Sequence, residues 1–223
     1  MDREVIVSAA LRHIDEHGAQ GLTMRALAQD LQVAPMSLYR YVHGREDLLE
    51  AVVALLLEGV RGDLDNELAK TCWQGYLQTL AHAVRRVALE HSAAFPLVAT
   101  RHPAAPWLRP PLRSLDLVED FLVTLGQHGF TDQQVVGAYR AFSSFLLGQL
   151  LLEAATRGAD TAPVEVALDE GDAQVPNRDG MVDLRGVPSV ARLRPMLAED
   201  HSQDEFEVSL ETLLDRLEMT ISQ

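Results

Sequence analysis

The chain has 223 residues, 19 of them Lys or Arg and 33 Asp or Glu, which gives a formal charge of −14 and a pI near 4.9. Such an acidic surface excludes a protein that coats nucleic acid non-specifically, because that mode needs broad positive charge; any DNA contact must come from a local basic cluster. Hydrophobic residues make up 47% and aromatics only 5%, so the core is expected to be aliphatic and helical, and a single cysteine, Cys72, excludes an internal disulfide and argues against a metal cluster.

Residues 2–17 read as a first helix, with Val5, Ile6, Ala9, Ala10 and Ile14 as its buried stripe and Gly18 as its end. His13 and His17 lie four apart, a spacing that can hold a metal, but no third ligand is near them and no metal is assigned. Arg3 leads into an amphipathic stretch without the apolar core of a signal peptide. No window reaches 18 consecutive apolar residues, so no membrane span is expected. The expected location is the cytoplasm.

Residues 21–47 read as two short helices across a tight turn, followed by the start of a third. The Thr23 hydroxyl stands where a helix N-cap belongs. Leu27, Ala28 and Leu31 share one face, residues 32–34 make the turn, and Pro35 suits the first position of the next helix, where its missing N–H costs nothing. Leu38, Tyr39 and Val42 continue that helix, and His43 with Gly44 ends it. This is a helix-turn-helix, whose second helix is shaped to enter the DNA major groove. Arg25, Arg40 and Arg45 cluster here, whereas Asp2, Glu4, Asp15 and Glu16 fall on the preceding helix.

Through GLTMRALAQDL, VAPMSLYRYV and EDLLEAVV, with the apolar helix before Gly18, residues 6–53 resemble the N-terminal domain of the TetR family of transcriptional repressors. The resemblance implies that Pro35, Met36, Ser37, Tyr39 and Tyr41 face DNA. Thr23 and Arg25 open the first helix of the motif, where the guanidinium can reach a phosphate or a base edge. The hydroxyls of Ser37 and Tyr39 suit phosphate oxygens, Pro35 and Met36 suit thymine methyls, and Arg45 suits a phosphate clamp. Leu38 and Val42 are expected to pack inward; for Tyr41 partial core packing is the alternative. The head is expected to span residues 1–46 and a ligand-binding and dimerisation domain residues 47–223, in an all-α fold.

Residues 45–62 form a long helix apolar on more than one face, which must touch two neighbours. Residues 72–92 form another. Prolines 96, 103, 106, 110 and 111 then forbid one continuous helix and predict a short helix followed by a rigid loop. Residues 112–127 are helical. Thr131 and Gln134 make a capping box that opens a helix over 132–157, apolar nearly all round. Residues 158–188 hold four glycines, three prolines and seven acids against two arginines, and read as an acidic loop. Ser202 to Glu205 repeats the capping pattern before a last helix over 203–221, with Phe206, Leu210, Leu213, Leu214, Leu217 and Ile221 as its stripe. The helices near 132–157 and 203–221 are expected to pair with their symmetry mates in a four-helix bundle, making a homodimer; packing within one chain is the alternative.

FPLVATRHP, GQHGFT and AYRAFSSFLLGQLLLE look like the regulatory domain of the tetracycline-repressor subgroup. That implies a ligand cavity in each subunit, whose occupation releases DNA. In that subgroup a histidine near the proline loop holds tetracycline-bound magnesium; no histidine aligns there without gaps, His102 being nearest, and the partner's glutamate maps near Leu152 or Glu153. A different, largely apolar ligand is therefore expected, with no cofactor. Helix faces and polarity select His82, Phe95, His102, Trp107, Phe121, Tyr139 and Phe142 as cavity residues; the alternative for each is core filling. An enzyme using His82, His102, Glu119 and Asp120 is the competing reading, but no nucleophile, base and oxyanion donor stand at defined spacing.

Overall fold

A computed structural model describes residues 2–100, 102–159 and 188–221, and among them every regular element is helical. Helix α1 is Arg3–Gly21, capped by the Asp2 carboxylate, which accepts from the Val5 N–H at 2.9 Å. Its register breaks at Gly18, whose φ of +77° lies where a Cβ is penalised. The expected end is thus a kink, and the chain regains helical form before Gly21.

Helix α2 is Met24–Asp30 and α3 is Pro35–Leu38. The second helix of the motif is therefore four residues long rather than running to 42. The N–H groups of Tyr41 and Val42 both go to the Leu38 carbonyl, at 2.9 and 3.1 Å, which closes the turn. Helix α4, Arg45–Asp63, packs on α1 to one side and α6 to the other. That accounts for its two apolar faces: Leu48, Val52 and Val60 are all fully buried.

Helix α5, Glu67–Thr71, was not expected; Asn66 starts it by accepting from the Ala69 N–H at 2.8 Å. It lies against α6, Trp73–Glu90. A 3-10 turn, Phe95–Ala99, follows, then α7, Leu115–Gln127, and α8, Asp132–Thr156. The capping box is formed as expected: the Thr131 hydroxyl accepts from the Gln134 N–H, and the Gln134 side chain accepts from the Thr131 N–H at 2.9 Å. Helix α9, Pro188–Leu197, was also unforeseen. The expected loop 158–188 lies outside the described residues from 160 to 187. Ser202 is not a cap but the first residue of α10, Ser202–Ile221; its N–H donates to the Asp200 carboxylate at 3.0 Å.

By length and composition alone α8 is apolar enough to cross a membrane, although it holds no run of 18 consecutive apolar residues. Here it lies against α6, α7 and α10. It also buries Glu153 in a two-pronged ion pair with Arg85 of α6, at 3.1 and 2.8 Å. The Arg85 guanidinium reaches Gln203 and sits 5.1 Å over the Phe206 ring, so α6, α8 and α10 meet at one polar point.

Candidate DNA-reading head and effector cavity

The head is built by α1 to α3 and the start of α4. Thr23 caps α2, its hydroxyl accepting from the Ala26 N–H at 3.0 Å. Leu27 and Leu38 are fully buried and Val42 nearly so, which fixes the opposite side of the turn outward. On that outer side Met36 is 75% exposed, Tyr39 46% and Tyr41 37%. Pro35 and Arg25 are exposed and Ser37 is half-buried. Tyr41 thus stands with the surface residues rather than the core. Arg25 makes no ion pair among the described residues. The same holds for the exposed Arg40, which the sequence placed in the basic cluster but not among the contacts.

Arg45 is corrected. Its Nε donates to the Leu22 carbonyl at 3.0 Å and Nη2 to the Ala19 carbonyl at 2.9 Å, while Nη1 lies 3.6 Å from Glu46. These carbonyls end α1, where no further helical turn follows and the Ala19 carbonyl has only the Leu22 N–H, at 3.4 Å, as a backbone donor. The guanidinium is committed to holding α1 on α4 rather than clamping phosphate. Asp47 completes this joint. It accepts from the His43 N–H at 2.8 Å and pairs with Arg3 at 2.6 Å. The His43 N–H, then the Arg3 guanidinium, hold its carboxyl below the usual range against a desolvation that acts the other way. Nothing in the sequence spacing pointed to either joint.

In the larger domain, Phe121 of α7 and Tyr139 and Phe142 of α8 come together. The Phe121 ring lies 5.8 Å from that of Tyr139 and 5.7 Å from that of Phe142. With Leu80, Val84, Val98, Leu112, Leu117, Ser143, Leu146 and Leu147 they wall a cavity of about 30 Å³, room for roughly one water. The Tyr139 hydroxyl donates to the Pro110 carbonyl at 3.0 Å, and burial pushes its pKa up to about 12. Ser143 is the other polar group of the wall, and the sequence reading missed it.

The other four candidates do not line this cavity. Phe95 is fully buried, but Val98 is the residue its turn contributes to the wall. His82 is half-exposed and faces α10, with Nε2 3.5 Å from Glu207 and its ring edge-on to Phe206. His102 faces α4, with Nε2 3.7 Å from Glu50. Trp107 is 72% exposed. Helical periodicity told which side of α7 and α8 turns inward; the proline-rich stretch has no period to read. A wider cleft of about 720 Å³ between α1, α4 and the start of α7 is open, mixes charged side chains such as Arg3, Glu58 and Arg61 with apolar ones, and holds none of the expected cavity residues.

Residues 6–52 match the family model described as bacterial regulatory proteins, tetR family, and residues 67–221 match the tetracyclin repressor-like C-terminal domain. The chain belongs to the TetR family. The HTH-type transcriptional repressor DrrR1 of Streptomyces coeruleorubidus is 29% identical over 98% of this chain and 77% of its own. The class D tetracycline repressor of Escherichia coli is 32% identical over 68% of this chain and 66% of its own. A possible TetR family transcriptional regulator from Streptomyces coelicolor A3(2) superposes with a TM-score of 0.72 at 28% identity, covering 98% of this chain and all of that one. The Streptomyces coelicolor TetR family protein ActR, in complex with actinorhodin, shares the fold at a TM-score of 0.68 and 24% identity over all of this chain and 99% of its own. The TetR assignment therefore covers both halves, the reading head and the helical domain that carries the cavity.

Proposed function

We propose that this TetR-family regulator is a repressor that binds a palindromic operator as a homodimer and is released by a small, largely apolar ligand. Each head, ending near residue 46, contributes Thr23, Arg25, Pro35, Met36, Ser37, Tyr39 and Tyr41, with Arg40 added and Arg45 withdrawn. The observation that carries the reading is a reading turn that puts Met36, Tyr39 and Tyr41 in solvent beside two arginines without ion pairs among the described residues, in a chain of net charge −14. Solvent-exposed aromatics and free guanidinium groups in one patch suit base edges and phosphates.

The ligand's chemistry follows from the cavity, where only the Tyr139 hydroxyl and Ser143 are polar. Small-molecule sites enclose about 300 Å³ or more, so a ligand must open this cavity. That expansion is the differential interaction that shifts the dimer toward a state whose heads no longer match the operator. The exposed face of α8 supports the dimer: Gly137, Ala141, Ser144, Gly148, Leu152 and Ala155 follow one another at three and four residues, beside the exposed Val208 and Met219 of α10. Two such helix pairs make a four-helix bundle. The site of action is the cytoplasm, where the DNA is.

Fluorescence anisotropy on DNA from upstream of the protein's own gene tests the reading. Two chains per duplex, with affinity falling steeply as salt rises, is the expected result. Ligand-free protein that leaves this DNA unbound at low salt contradicts it.

A further inference from the structure

We infer that Arg113 is the positioning residue that couples the effector cavity to the reading head; the inference rests on the function proposed above. Arg113 is 6% exposed, an arginine held inside the protein. Its backbone N–H donates to the Val98 carbonyl at 3.0 Å. Its Nη1 donates to the Thr100 hydroxyl at 3.2 Å, and its Nη2 to the Glu46 carboxylate at 3.0 Å. Its Nε is buried with no partner.

Val98, to which Arg113 is tied, and Leu112, its chain neighbour, are both part of the cavity wall. At the other end, Glu46 belongs to the first turn of α4. The residues on either side of it are the two joints of the head: Arg45 on the α1 carbonyls and Asp47 on the His43 N–H that follows the reading turn. Arg113 thus joins the cavity wall, through its backbone N–H, to the first turn of α4, through its guanidinium.

The energetics make this contact easy to break on one side only. A buried guanidinium needs compensation for its lost hydration, and here one nitrogen already lacks it. Glu46 is 67% exposed at its side chain, so on release its carboxylate returns to water. A ligand that opens the wall carries Val98 and Leu112 outward, Arg113 moves with the carbonyl it bonds, and the contact to Glu46 lengthens. The first turn of α4 then loses one of its ties to the larger domain, the packing of α4 on α6 and the His102–Glu50 contact remaining.

The test needs neither the natural ligand nor the operator. Ser143→Leu pushes extra carbon into a space of about one water and serves as a covalent wedge; Ser143→Val, a smaller wedge, replaces it should the first not melt cooperatively. Glu46→Gln keeps the side chain's size and removes the carboxylate charge that pairs with Arg113 at 3.0 Å and with Arg45 at 3.6 Å, which weakens the link from its exposed side. The readout is amide hydrogen exchange of residues 48–51, normalised to residues 208–216 of α10, which supplies no residue to the cavity wall. In the wild-type background the wedge is expected to speed exchange there by about tenfold. Glu46→Gln alone is expected to speed the same amides, and the wedge then to add less than about twofold. Equal effects of the wedge with and without Glu46→Gln overturn the role of Arg113 and leave the proposed function standing. A wedge without effect on residues 48–51 in the wild-type background overturns the communication between cavity and head, and the inference with it.

Discussion

Arg45 and Arg25 lie in the same basic cluster yet do opposite work. With its guanidinium on the carbonyls of Ala19 and Leu22, Arg45 satisfies acceptors at the end of α1, where the Ala19 carbonyl has otherwise only the long 3.4 Å bond from the Leu22 N–H. Arg45→Ala is expected to cost about 1–3 kcal/mol, seen as a lower urea midpoint, with the salt dependence of DNA binding unchanged. Arg25→Ala and Arg40→Ala should do the reverse: each is expected to reduce the slope of log affinity against log salt by about 1, with stability altered by less than about 0.5 kcal/mol. Sequence spacing does not separate the two kinds of arginine, because the acceptors for Arg45 are set more than twenty residues away by the kink at Gly18. Tyr139 adds a pH effect. Its pKa is raised by burial to about 12; an acid that folding makes weaker stabilises the native state fully below its unfolded pKa, about 10. That stabilisation is lost as pH climbs toward 12, a difference of up to roughly 3 kcal/mol. Tyr139→Phe should therefore flatten the decline of urea midpoints between about pH 9 and about pH 12. An unchanged decline assigns it to other groups such as Tyr76, whose burial also raises its pKa.

The elements read well from the sequence wherever a local device sets them. The capping box of Thr131 and Gln134, the Thr23 cap and the Pro35 start are contacts within three or four residues, and each forms as the spacing predicts. What local pattern does not encode was missed. Helix α5 has a local cap in Asn66, but at five residues it is too short to show a stripe and is held by packing on α6, and α3 stops early because two N–H groups converge on Leu38. The cavity was half-legible for the same reason: the stripes of α7 and α8 gave Phe121, Tyr139 and Phe142, but which neighbour each irregular residue meets is a tertiary fact. Gly75 shows packing overriding propensity. In a helix interior alanine is favoured over glycine by up to about 1 kcal/mol. A Cβ at Gly75, however, would collide with the Leu68 backbone carbonyl of α5, which has no flexible end to move aside. Gly75→Ala is expected to destabilise the protein by about 1–3 kcal/mol, read from the thermal midpoint, with faster amide exchange in residues 67–71. A stabilised variant would mean that α5 shifts freely on α6.

At the scale of the whole molecule, a chain of charge −14 sets only a local basic cluster against DNA, because residues 1–46 themselves hold six acids against five arginines. A head with a four-residue reading helix offers few contacts. Useful affinity then depends on two heads held at once, since linking two weak sites raises affinity by orders of magnitude without any new contact. This makes Leu152 a sharp probe. In the single chain its side chain is 70% exposed, and a surface substitution of that kind changes stability by less than about 0.5 kcal/mol. In the proposed bundle the same position is covered by the partner's helix, where an arginine without a counter-charge costs about 3–5 kcal/mol. Leu152→Arg is therefore expected to leave the helical circular dichroism and the unfolding midpoint of the isolated chain intact and to shift sedimentation from dimer to monomer. Operator affinity should fall by about a hundredfold or more, while the weak, salt-sensitive binding of a single head to a half-site survives. A Leu152→Arg protein that still sediments as a dimer and still binds the full operator would move the interface off this face of α8.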